Sequence, residues 1–536
     1  MKKIAIIGSG PTGIYTLYSL LKNSEPAAIS VYEQGSAAGV GMPYCSDSNS
    51  KMMLANIASI EIPPLFETYI DWLRRQSVTH LARYGVDTDS LHIRQFLPRM
   101  LLGEYFRDQF QRLVSEARIK GFQIDINVSS RVTDIKATQE GVLLQIEGHF
   151  NPVSFDLAVI ATGHVWPDET PSKQTYFPSP WSGLMEAEIP ACKVGILGTS
   201  LSAIDATMAV VAQHGEFIEE DHHALRFRLY PGSEALNVTL MSRSGILPEA
   251  DFYCPIPYEP LRVATPAAIT AEINAGPEGL LDRVFNLMID EITLADPQWS
   301  KNTGLKGMKV DDFCEAWFAS RHANDPFRWA RANLEEVERN KRDKRTVHWR
   351  YAILRLHEAV QDTVQHLNDE DRERFHNTLA RVFVDNYAAI PSQSILRLLA
   401  LREAGLVRIQ ALGPDYTTEV KGRQTSVTVG NDVHTYDVFI DARGQKALKT
   451  KDLPFPTLRQ QLEAAGDDIP DVGDDYTLLD PAEARGRIAF GALPYLMHDQ
   501  PFIQGLTACA EIGAAMAKAC IRQATRARRR LPFMEV

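Results

Sequence analysis

Residues 3–21 read KIAIIGSGPTGIYTLYSLL. The apolar residues before the first glycine predict a short buried strand, and the apolar residues after the last one recur at helical spacing. Gly8, Gly10 and Gly13 form Gly-x-Gly-x-x-Gly between the two elements. A strand, this glycine pattern and a helix, in that order, predict a turn that binds the pyrophosphate of a dinucleotide.

The three glycines differ in what they allow. The first permits the tight turn, the second lets the backbone approach the pyrophosphate, and the third lets helix and strand pack closely. A second predicted strand, residues 28–33, ends in Glu33, twenty residues after Gly13. A carboxylate at that offset accepts hydrogen bonds from the ribose hydroxyls of an adenosine. This combination favours a dinucleotide site over an ordinary glycine-rich turn.

Two further stretches fit a flavin. Residues 39–44 read GVGMPY, where glycine allows the backbone to lie near a ring system. Residues 155–163 read FDLAVIATG, a buried strand that runs into Ala-Thr-Gly. In flavoproteins with two dinucleotides, such a turn passes the chain from the FAD domain to the NAD(P) domain.

A second, altered glycine pattern follows in GILGTSLSAID, residues 195–205. Gly198, Ser200 and Ala203 stand where three glycines are usual. Alanine is an accepted variant at the third place. Serine at the second place prevents the closest backbone approach, but Ser200 and Ser202 offer hydroxyls to a phosphate or to the helix N-terminus. The pattern is consistent with a second nucleotide site or with a vestigial one.

The strand expected to report nucleotide preference is NVTLMSRS, residues 237–244. It ends in Ser242, Arg243 and Ser244 and has no carboxylate there. An acid would repel a 2′-phosphate, whereas a guanidinium pairs with it bidentately. We therefore expect NADPH rather than NADH, unless Arg243 is only a surface arginine.

Composition sets limits on function. The chain has 536 residues, which predicts two or three domains, and its net charge is −12, which argues against general binding to nucleic acid or anionic membranes. Six scattered cysteines form no Cys-x-x-Cys pair and no metal spacing, so we expect a cytoplasmic protein without a metal site or disulfide-reductase chemistry. A small-molecule substrate is expected, and the oligomeric state stays open.

The chain resembles the FAD/NAD(P)-binding flavoprotein family and, within it, the enterobacterial YdhS-type proteins. The resemblance runs nearly from end to end, and more distantly the layout is similar to flavin-dependent N-hydroxylating monooxygenases. Besides the stretches above, it is carried by SKMMLANIASIEIPP (50–64), RQFLPRMLLGEYF (94–106), GILPEADFYCPIPYEPL (245–261), VFIDARGQ (438–445) and AFGALPYLMHDQPFIQGLTACAEIG (489–513). Many such flavoproteins carry Gly-Asp in the late strand, and this chain has no aspartate there.

The motifs and the resemblance together give candidate cofactor contacts. For FAD they are Gly8, Gly10, Pro11, Thr12, Gly13, Glu33, Gln34, Gly41, Met42, Tyr44, Asn56, Arg99, Thr162, Gly163, Gly491, Gln504, Gly505 and Leu506. For NADPH they are Gly198, Thr199, Ser200, Leu201, Ser202 and Arg243. Asn56 is also the candidate catalytic residue, because an amide donates and accepts hydrogen bonds without titrating; capping of a loop is the alternative.

The expected fold class is α/β, with two Rossmann-like dinucleotide-binding domains and a helical insertion. The predicted boundaries are an FAD-binding domain over 1–185 and 386–536, an NAD(P)-binding domain over 186–259, and the helical insertion over 260–385.

The expected activity is that of an FAD-dependent, NADPH-using monooxygenase that forms a flavin hydroperoxide and oxygenates a small nucleophilic substrate. Two alternatives stay open: an NADPH-dependent reductase of a small acceptor, and a non-enzymatic FAD-binding sensor or scaffold with a degenerate nicotinamide site.

Overall fold

A computed structural model describes residues 1–46, 49–166, 175–220, 225–503 and 505–529. The chain forms two compact units. Unit one comprises Met1–Trp166, Gln445–His498 and Ile503–Val536, and unit two comprises Pro167–Gly444 and Asp499–Phe502. Unit one is therefore built from the two ends of the chain.

The first part of the chain, up to residue 166, alternates strands and helices. In chain order the elements are β1 (Lys3–Ile7), α1 (Pro11–Asn23), β2 (Ala28–Tyr32), α2 (Tyr69–Arg74), α3 (Val78–Ala82), α4 (Arg99–Ile119), β3 (Gln123–Asn127), β4 (Val132–Ala137), β5 (Val142–Ile146), β6 (Val153–Phe155) and β7 (Leu157–Ile160). Short 3-10 turns include Met42–Tyr44.

The middle of the chain carries a second set of strands and a run of helices. Its strands are β8 (Tyr176–Phe177), β9 (Lys193–Leu197), β10 (Gly215–Glu219), β11 (Leu225–Leu229), β12 (Asn237–Ser242), β13 (Val407–Ala411), β14 (Tyr416–Lys421), β15 (Gln424–Val429), β16 (Asp432–Tyr436) and β17 (Val438–Asp441). Its helices are α5 (Leu201–Val211), α6 (Pro266–Asn274), α7 (Leu280–Ala295), α8 (Pro297–Thr303), α9 (Val310–His322), α10 (Pro326–Arg342), α11 (His348–Gln361), α12 (Asp369–Asn377), α13 (Leu379–Tyr387) and α14 (Ser392–Glu403).

The last part of the chain adds one strand and three helices. These are α15 (Pro456–Ala465), β18 (Ile488–Phe490), α16 (Leu493–Leu496) and α17 (Gly505–Arg529).

Unit one is organised around a parallel sheet with the strand order β18-β7-β1-β2-β3. β1 is central, and its residues from Ile4 to Ile7 are buried, as expected for a strand covered on both faces. An antiparallel sheet, β4-β5-β6, connects β3 to β7. The strand order reverses direction beside β1, and in open α/β sheets ligands bind outside the carboxyl ends of the strands at such a point.

Unit two repeats this plan. Its parallel sheet has the order β13-β12-β9-β17-β8, and the antiparallel sheet β14-β15-β16 lies between β13 and β17 in the chain. Helices α6 to α14 are inserted between β12 and β13. The two units thus share a Rossmann-like layout with insertions at corresponding connections.

This layout corrects two expected boundaries. Residues 175–185 and 386–444 were predicted to belong to the FAD-binding domain, whereas the structure places both segments in unit two. The reason is that β9 is buried along most of its length and needs a neighbour on each side. The neighbours are β12 and β17, and β13 completes the outer side next to β12. The chain returns to unit one only at Gln445.

The helical insertion has its own apolar core, which includes Phe285, Phe313 and Phe383. Buried charges in this part of the molecule include a close pair. Arg350 lies 3.0 Å from a carboxylate oxygen of Glu249, measured from Nε, and both side chains are buried. Such pairing is required because an unpartnered buried charge is strongly destabilising. Within the described ranges, no helix combines the length and the apolar character needed to cross a bilayer.

Candidate dinucleotide-binding sites

Two of the three glycines in the first turn have no space for a side chain. Gly8 has a φ of 101°, and a Cβ there would lie 2.3 Å from the carbonyl oxygen of Ala161. A Cβ on Gly13 would lie 2.2 Å from the carbonyl oxygen of Gly8. Gly10 differs, because its Cβ would meet only the Cα of Gly41, at 3.4 Å. Gly8 and Gly13 are therefore required by the fold itself, and Gly10 is not.

The N-terminus of α1 is suited to an anion. Gly10 is the N-cap, Pro11 opens the helix, and no side chain forms a capping hydrogen bond there. The amide groups of a first helical turn have no partner within the helix, and the helix dipole adds positive potential at that end. Thr12 and Gly13 belong to this turn. The residues present therefore fit the pyrophosphate of FAD.

Glu33 is positioned by Ser9, a residue that was not among the predicted contacts. The Ser9 hydroxyl donates to Oε2 of Glu33 at 2.7 Å and accepts from the amide of Gly39 at 3.0 Å. The amide of Gly35 donates to Oε1 of Glu33 at 2.9 Å. Because Ser9 stands between two glycines, where many residue types occur, no sequence signal marks it. Gln34 follows Glu33 on the same loop.

The loop with Asn56 is held next to the start of α4. The amide of Ala55 donates to the carbonyl of Leu97 at 2.8 Å, and Nε of the buried Arg99 donates to the carbonyl of Leu54 at 3.0 Å. The side chain of Asn56 is exposed and makes no hydrogen bond within the described ranges. Its amide is therefore not occupied by the loop-capping role that was the alternative expectation.

The GVGMPY stretch lies against the start of α1. A Cβ on Gly41 would be 2.9 Å from Cδ of Pro11, and the φ of Gly41 is 82°. Met42 and Tyr44 belong to the 3-10 turn that follows. Burial raises the pKa of the Tyr44 hydroxyl above its ordinary value, so this hydroxyl stays protonated. The stretch is thus fixed beside the N-terminus of α1.

The carboxyl end of β7 lies next to that of β1. The amide of Ala161 donates to the carbonyl of Ile7 at 2.8 Å, and Thr162 and Gly163 follow at the same edge of the sheet. Gly491 follows β18, and a Cβ there would lie 2.7 Å from Cε of Met516. Gly491 therefore lets β18 pack closely against α17.

Helix α17 lies parallel to α1. The thiol of Cys509 interacts with Thr12, and one turn later a Cβ on Gly513 would lie 2.8 Å from the amide nitrogen of Thr16. The matching spacing places the two helix N-termini at the same edge of the sheet. Gly505 begins α17 and Leu506 is buried; Gln504 lies outside the described residues.

The altered glycine pattern in unit two keeps the essential contact of the first. Gly198 has a φ of 142°, and a Cβ there would lie 2.8 Å from the carbonyl oxygen of Ala442. This is the counterpart of the approach of Gly8 to Ala161. Ala203, at the third place of the pattern, is fully buried. The turn is thus preserved with alanine in place of glycine.

The N-terminus of α5 is also without a side-chain cap. Ser200 occupies the N-cap position, yet its hydroxyl makes no capping hydrogen bond, contrary to one of the roles expected for it. The residue is exposed, so its hydroxyl is accessible to a ligand. Leu201 and Ser202 form the first positions of α5. This helix end can therefore accept an anion as that of α1 can.

The end of β12 has no carboxylate and one available cation. The hydroxyl of Ser242 accepts from the hydroxyl of Thr199 at 3.1 Å and from the amide of Gly245 at 3.0 Å. Arg243 is exposed, and in the described part of the chain its side chain forms no ion pair or hydrogen bond. Its guanidinium is free to bind a phosphate.

Family comparisons agree with this organisation. Residues 5–165 match the family described as FAD-NAD(P)-binding, and residues 265–387 match the family described as the YdhS-like middle domain. The first match contains the glycine turn, Glu33 and the end of β7. It confirms the prediction of an FAD-NAD(P)-binding domain in this part of the chain. The second match covers most of the helical insertion.

Comparisons with whole proteins extend over nearly the full chain. One similar solved structure is the ornithine N-hydroxylase KtzI of Kutzneria sp. 744. It is 13% identical, the match covers 98% of this chain and 99% of that chain, and the TM-score is 0.47. Another is the ornithine hydroxylase PvdA of Pseudomonas aeruginosa. It is 13% identical, the match covers 97% of this chain and 100% of that chain, and the TM-score is 0.49. The protein of Escherichia coli K12 called "Uncharacterized protein YdhS" is 63% identical over 533 residues, which cover 99% of this chain and 100% of that protein. The chain therefore belongs to the YdhS family of FAD-NAD(P)-binding proteins.

Proposed function

We propose that the chain is an FAD-dependent monooxygenase that uses NADPH as its electron donor. In the overall reaction NADPH, a proton, dioxygen and a small nucleophilic substrate give NADP⁺, water and the oxygenated substrate. One oxygen atom enters the substrate, and the other leaves as water with the two electrons of the hydride. Bound FAD supplies the chemistry of accepting a hydride and reacting with dioxygen.

One observation carries this proposal. Both units contain the same kind of parallel sheet, but the residues at the strand ends expected to contact the adenosine differ between them. In unit one, the Glu33 carboxylate at the end of β2 suits the unphosphorylated ribose of FAD. In unit two, neutral Ser242 and exposed Arg243 suit a ribose with a 2′-phosphate. The two cradles therefore favour two different dinucleotides.

Oxygen insertion is favoured over electron transfer through a dithiol. None of the six cysteines forms a Cys-x-x-Cys pair, and each of them is a free thiol. A relay of electrons from FAD through a Cys-x-x-Cys dithiol is therefore not available to this chain. Asn56 is proposed as the polar group beside the reacting atoms, since its exposed amide can donate and accept a hydrogen bond at any physiological pH.

The decisive experiment follows the absorbance of protein-bound FAD. NADPH added without oxygen should reduce the FAD much faster than NADH does. Oxygen labelled with ¹⁸O is then admitted in the presence of a panel of small amines and thioethers, and the label should appear in a product. Reduction without incorporated label, coupled instead to turnover of another acceptor, would indicate a reductase.

Two further outcomes separate the remaining possibilities. Protein that binds FAD but is reduced by neither nicotinamide would contradict an enzymatic role and favour a sensor or scaffold. Arg243→Ala should slow reduction by NADPH far more than reduction by NADH, because only NADPH carries the 2′-phosphate. The exposed arginine variant Arg328→Ala, on α10, serves as the matched control.

A further inference from the structure

The end of β17 carries an ion pair that has no counterpart in unit one. Asp441 lies opposite Leu197, just before Gly198. In unit one the corresponding residue is Ile160, which lies opposite Ile7. An aspartate therefore replaces an isoleucine that is fully buried in the first sheet. Because Ile160 shows that an apolar residue suffices at this strand end, we expect a role of Asp441 other than folding.

Asp441 holds Arg443 in a fixed orientation. Nε of Arg443 lies 2.9 Å from Oδ1 of Asp441, and Nη2 lies 2.6 Å from Oδ2. The backbone amide of Arg443 also donates to Oδ1 at 3.2 Å. The pair uses Nε and Nη2; Nη1 lies outside it, and the Arg443 side chain also interacts with the side chain of Tyr416. A guanidinium held in this way loses little further freedom when it binds a second oxyanion.

The exposed side of the pair is the positive one. The side chain of Arg443 is 45% exposed and that of Asp441 is 16% exposed. In unit one, Thr162 occupies the place of Arg443, because Ala161 and Ala442 donate equivalent hydrogen bonds to Ile7 and Leu197. Unit two thus presents a cation where unit one presents a hydroxyl.

The position of Arg443 relates it to the second half of a dinucleotide. The carbonyl of Ala442 touches the Gly198 turn, so Arg443 follows directly after the contact between β17 and that turn. Ser242 and Arg243 lie at the end of β12, on the other side of β9. When β12 holds the adenosine, the nicotinamide half extends across the crevice toward β17.

We propose that Arg443 binds the nicotinamide-side phosphate of NADPH and that Asp441 is the positioning residue for its guanidinium. This inference rests on the proposed function, because it requires unit two to bind the dinucleotide. Two arginines on opposite sides of the glycine turn then bind the phosphate groups of NADPH. Arg243 binds the 2′-phosphate, and Arg443 binds the phosphate on the nicotinamide side of the pyrophosphate.

The test measures equilibrium binding to the full-length, FAD-loaded protein by calorimetry. The two probes are NADP⁺ and 2′,5′-ADP, and the second lacks the nicotinamide half. Arg443→Ala should weaken NADP⁺ about tenfold or more, the loss expected for one charge-assisted hydrogen bond, and leave 2′,5′-ADP unchanged. Arg243→Ala should weaken both probes, since both carry the 2′-phosphate.

Conservative variants distinguish positioning from general structure. Arg443→Lys keeps the charge but loses the planar fork, so its affinity for NADP⁺ should lie between those of Arg443→Ala and the wild type. Asp441→Asn should weaken NADP⁺ by a smaller factor and spare 2′,5′-ADP. These two variants also serve if Arg443→Ala does not fold.

Several results would overturn the inference. Unchanged affinity of Arg443→Ala for NADP⁺ would remove Arg443 from the site while leaving the proposed function intact. Equal weakening of NADP⁺ and 2′,5′-ADP would show a structural effect on the whole turn. Wild-type protein that binds neither probe would refute the proposed function and this inference together.

Discussion

Ser242 occupies in the second sheet the position that Glu33 occupies in the first. Tyr32 lies opposite Ile7, and Met241 lies opposite Leu197, so the next residue in each strand is equivalent. Glu33 and Ser242 also each accept a hydrogen bond from the residue that follows the first glycine of the neighbouring turn. Ser9 donates to Glu33 at 2.7 Å, and Thr199 donates to Ser242 at 3.1 Å. The two strand ends therefore differ in charge at two positions: Ser242 replaces the carboxylate of Glu33, and Arg243 stands where Gln34 follows Glu33.

This equivalence predicts a change of coenzyme preference. Ser242→Glu should copy the unit-one arrangement, with its carboxylate accepting from Thr199 and from the ribose hydroxyls. The KM for NADPH should rise at least about tenfold through repulsion of the 2′-phosphate, while that for NADH should fall. Steady-state reduction of FAD with each nicotinamide measures the effect. Ser244→Glu is the control, and an equal response of both serine variants would contradict the assignment.

Substitutions at two glycines of the first turn should have different effects, one on stability and one on FAD binding. Gly13→Ala should destabilise the protein by about 2 kcal/mol or more, because its Cβ would lie 2.2 Å from a backbone oxygen. Gly10→Ala should fold normally, since its Cβ has 3.4 Å of space and its φ of −74° suits alanine. It should nevertheless lose FAD, because the methyl group prevents the close approach of the pyrophosphate. Thermal unfolding of FAD-free protein and FAD content after purification test both statements.

Ser9 should act on FAD through Glu33. Ser9→Ala removes a donor to the carboxylate and an acceptor for Gly39, so the affinity for FAD should fall by about five- to tenfold, as expected for the loss of a hydrogen bond of about 1 kcal/mol. Titration of FAD-free protein with FAD measures the change. Ser115→Ala is a suitable control, because that hydroxyl bonds only within α4. Equal affinities of the two variants would contradict the positioning role.

Asn56 should affect reactivity without affecting stability. Its side chain is exposed and makes no hydrogen bond in the described part of the chain, so Asn56→Ala should leave the melting temperature and the FAD content unchanged. The rate of FAD reduction by NADPH, or of its reoxidation by oxygen, should fall by about tenfold or more if the amide contacts the reacting atoms. Rates equal to those of the wild type would exclude Asn56 from the reaction.

His357 should make the protein sensitive to acid. Its ring lies 5.2 Å from that of Tyr387 and 5.8 Å from that of Phe502, and burial lowers the pKa of His357 from 6.5 to about 4. Between about pH 6.5 and about pH 4, His357 is therefore protonated in the unfolded chain and neutral in the folded chain. The free energy of unfolding should fall by about 3 kcal/mol as the pH drops from about 6.5 to about 4.

Denaturant unfolding at a series of pH values measures this dependence. His357→Gln should flatten it, because the variant has no group to protonate at that position. His149→Gln, at an exposed turn, should leave the dependence as in the wild type. A wild-type curve that is flat between pH 6.5 and pH 4 would contradict the assignment.

Local sequence was sufficient for the two glycine turns and their strands. The first turn, Glu33 and the end of β7 were predicted because each depends on neighbouring residues whose spacing shows directly in the chain. The FAD-NAD(P)-binding domain follows from the same residues. Sequence also showed the helical insertion, since its apolar periodicity is local.

Only the tertiary structure decided what lies beside these turns. Strands β13 and β17 complete the second sheet although they are separated from β12 by the whole helical insertion, and no local pattern states which sheet a distant strand joins. The roles of Ser9 and of the Asp441–Arg443 pair depend likewise on the register between parallel strands. The sequence thus determined where each glycine turn begins. Long-range strand pairing decided which side chains surround that turn, because such pairing brings together residues that are far apart in the chain.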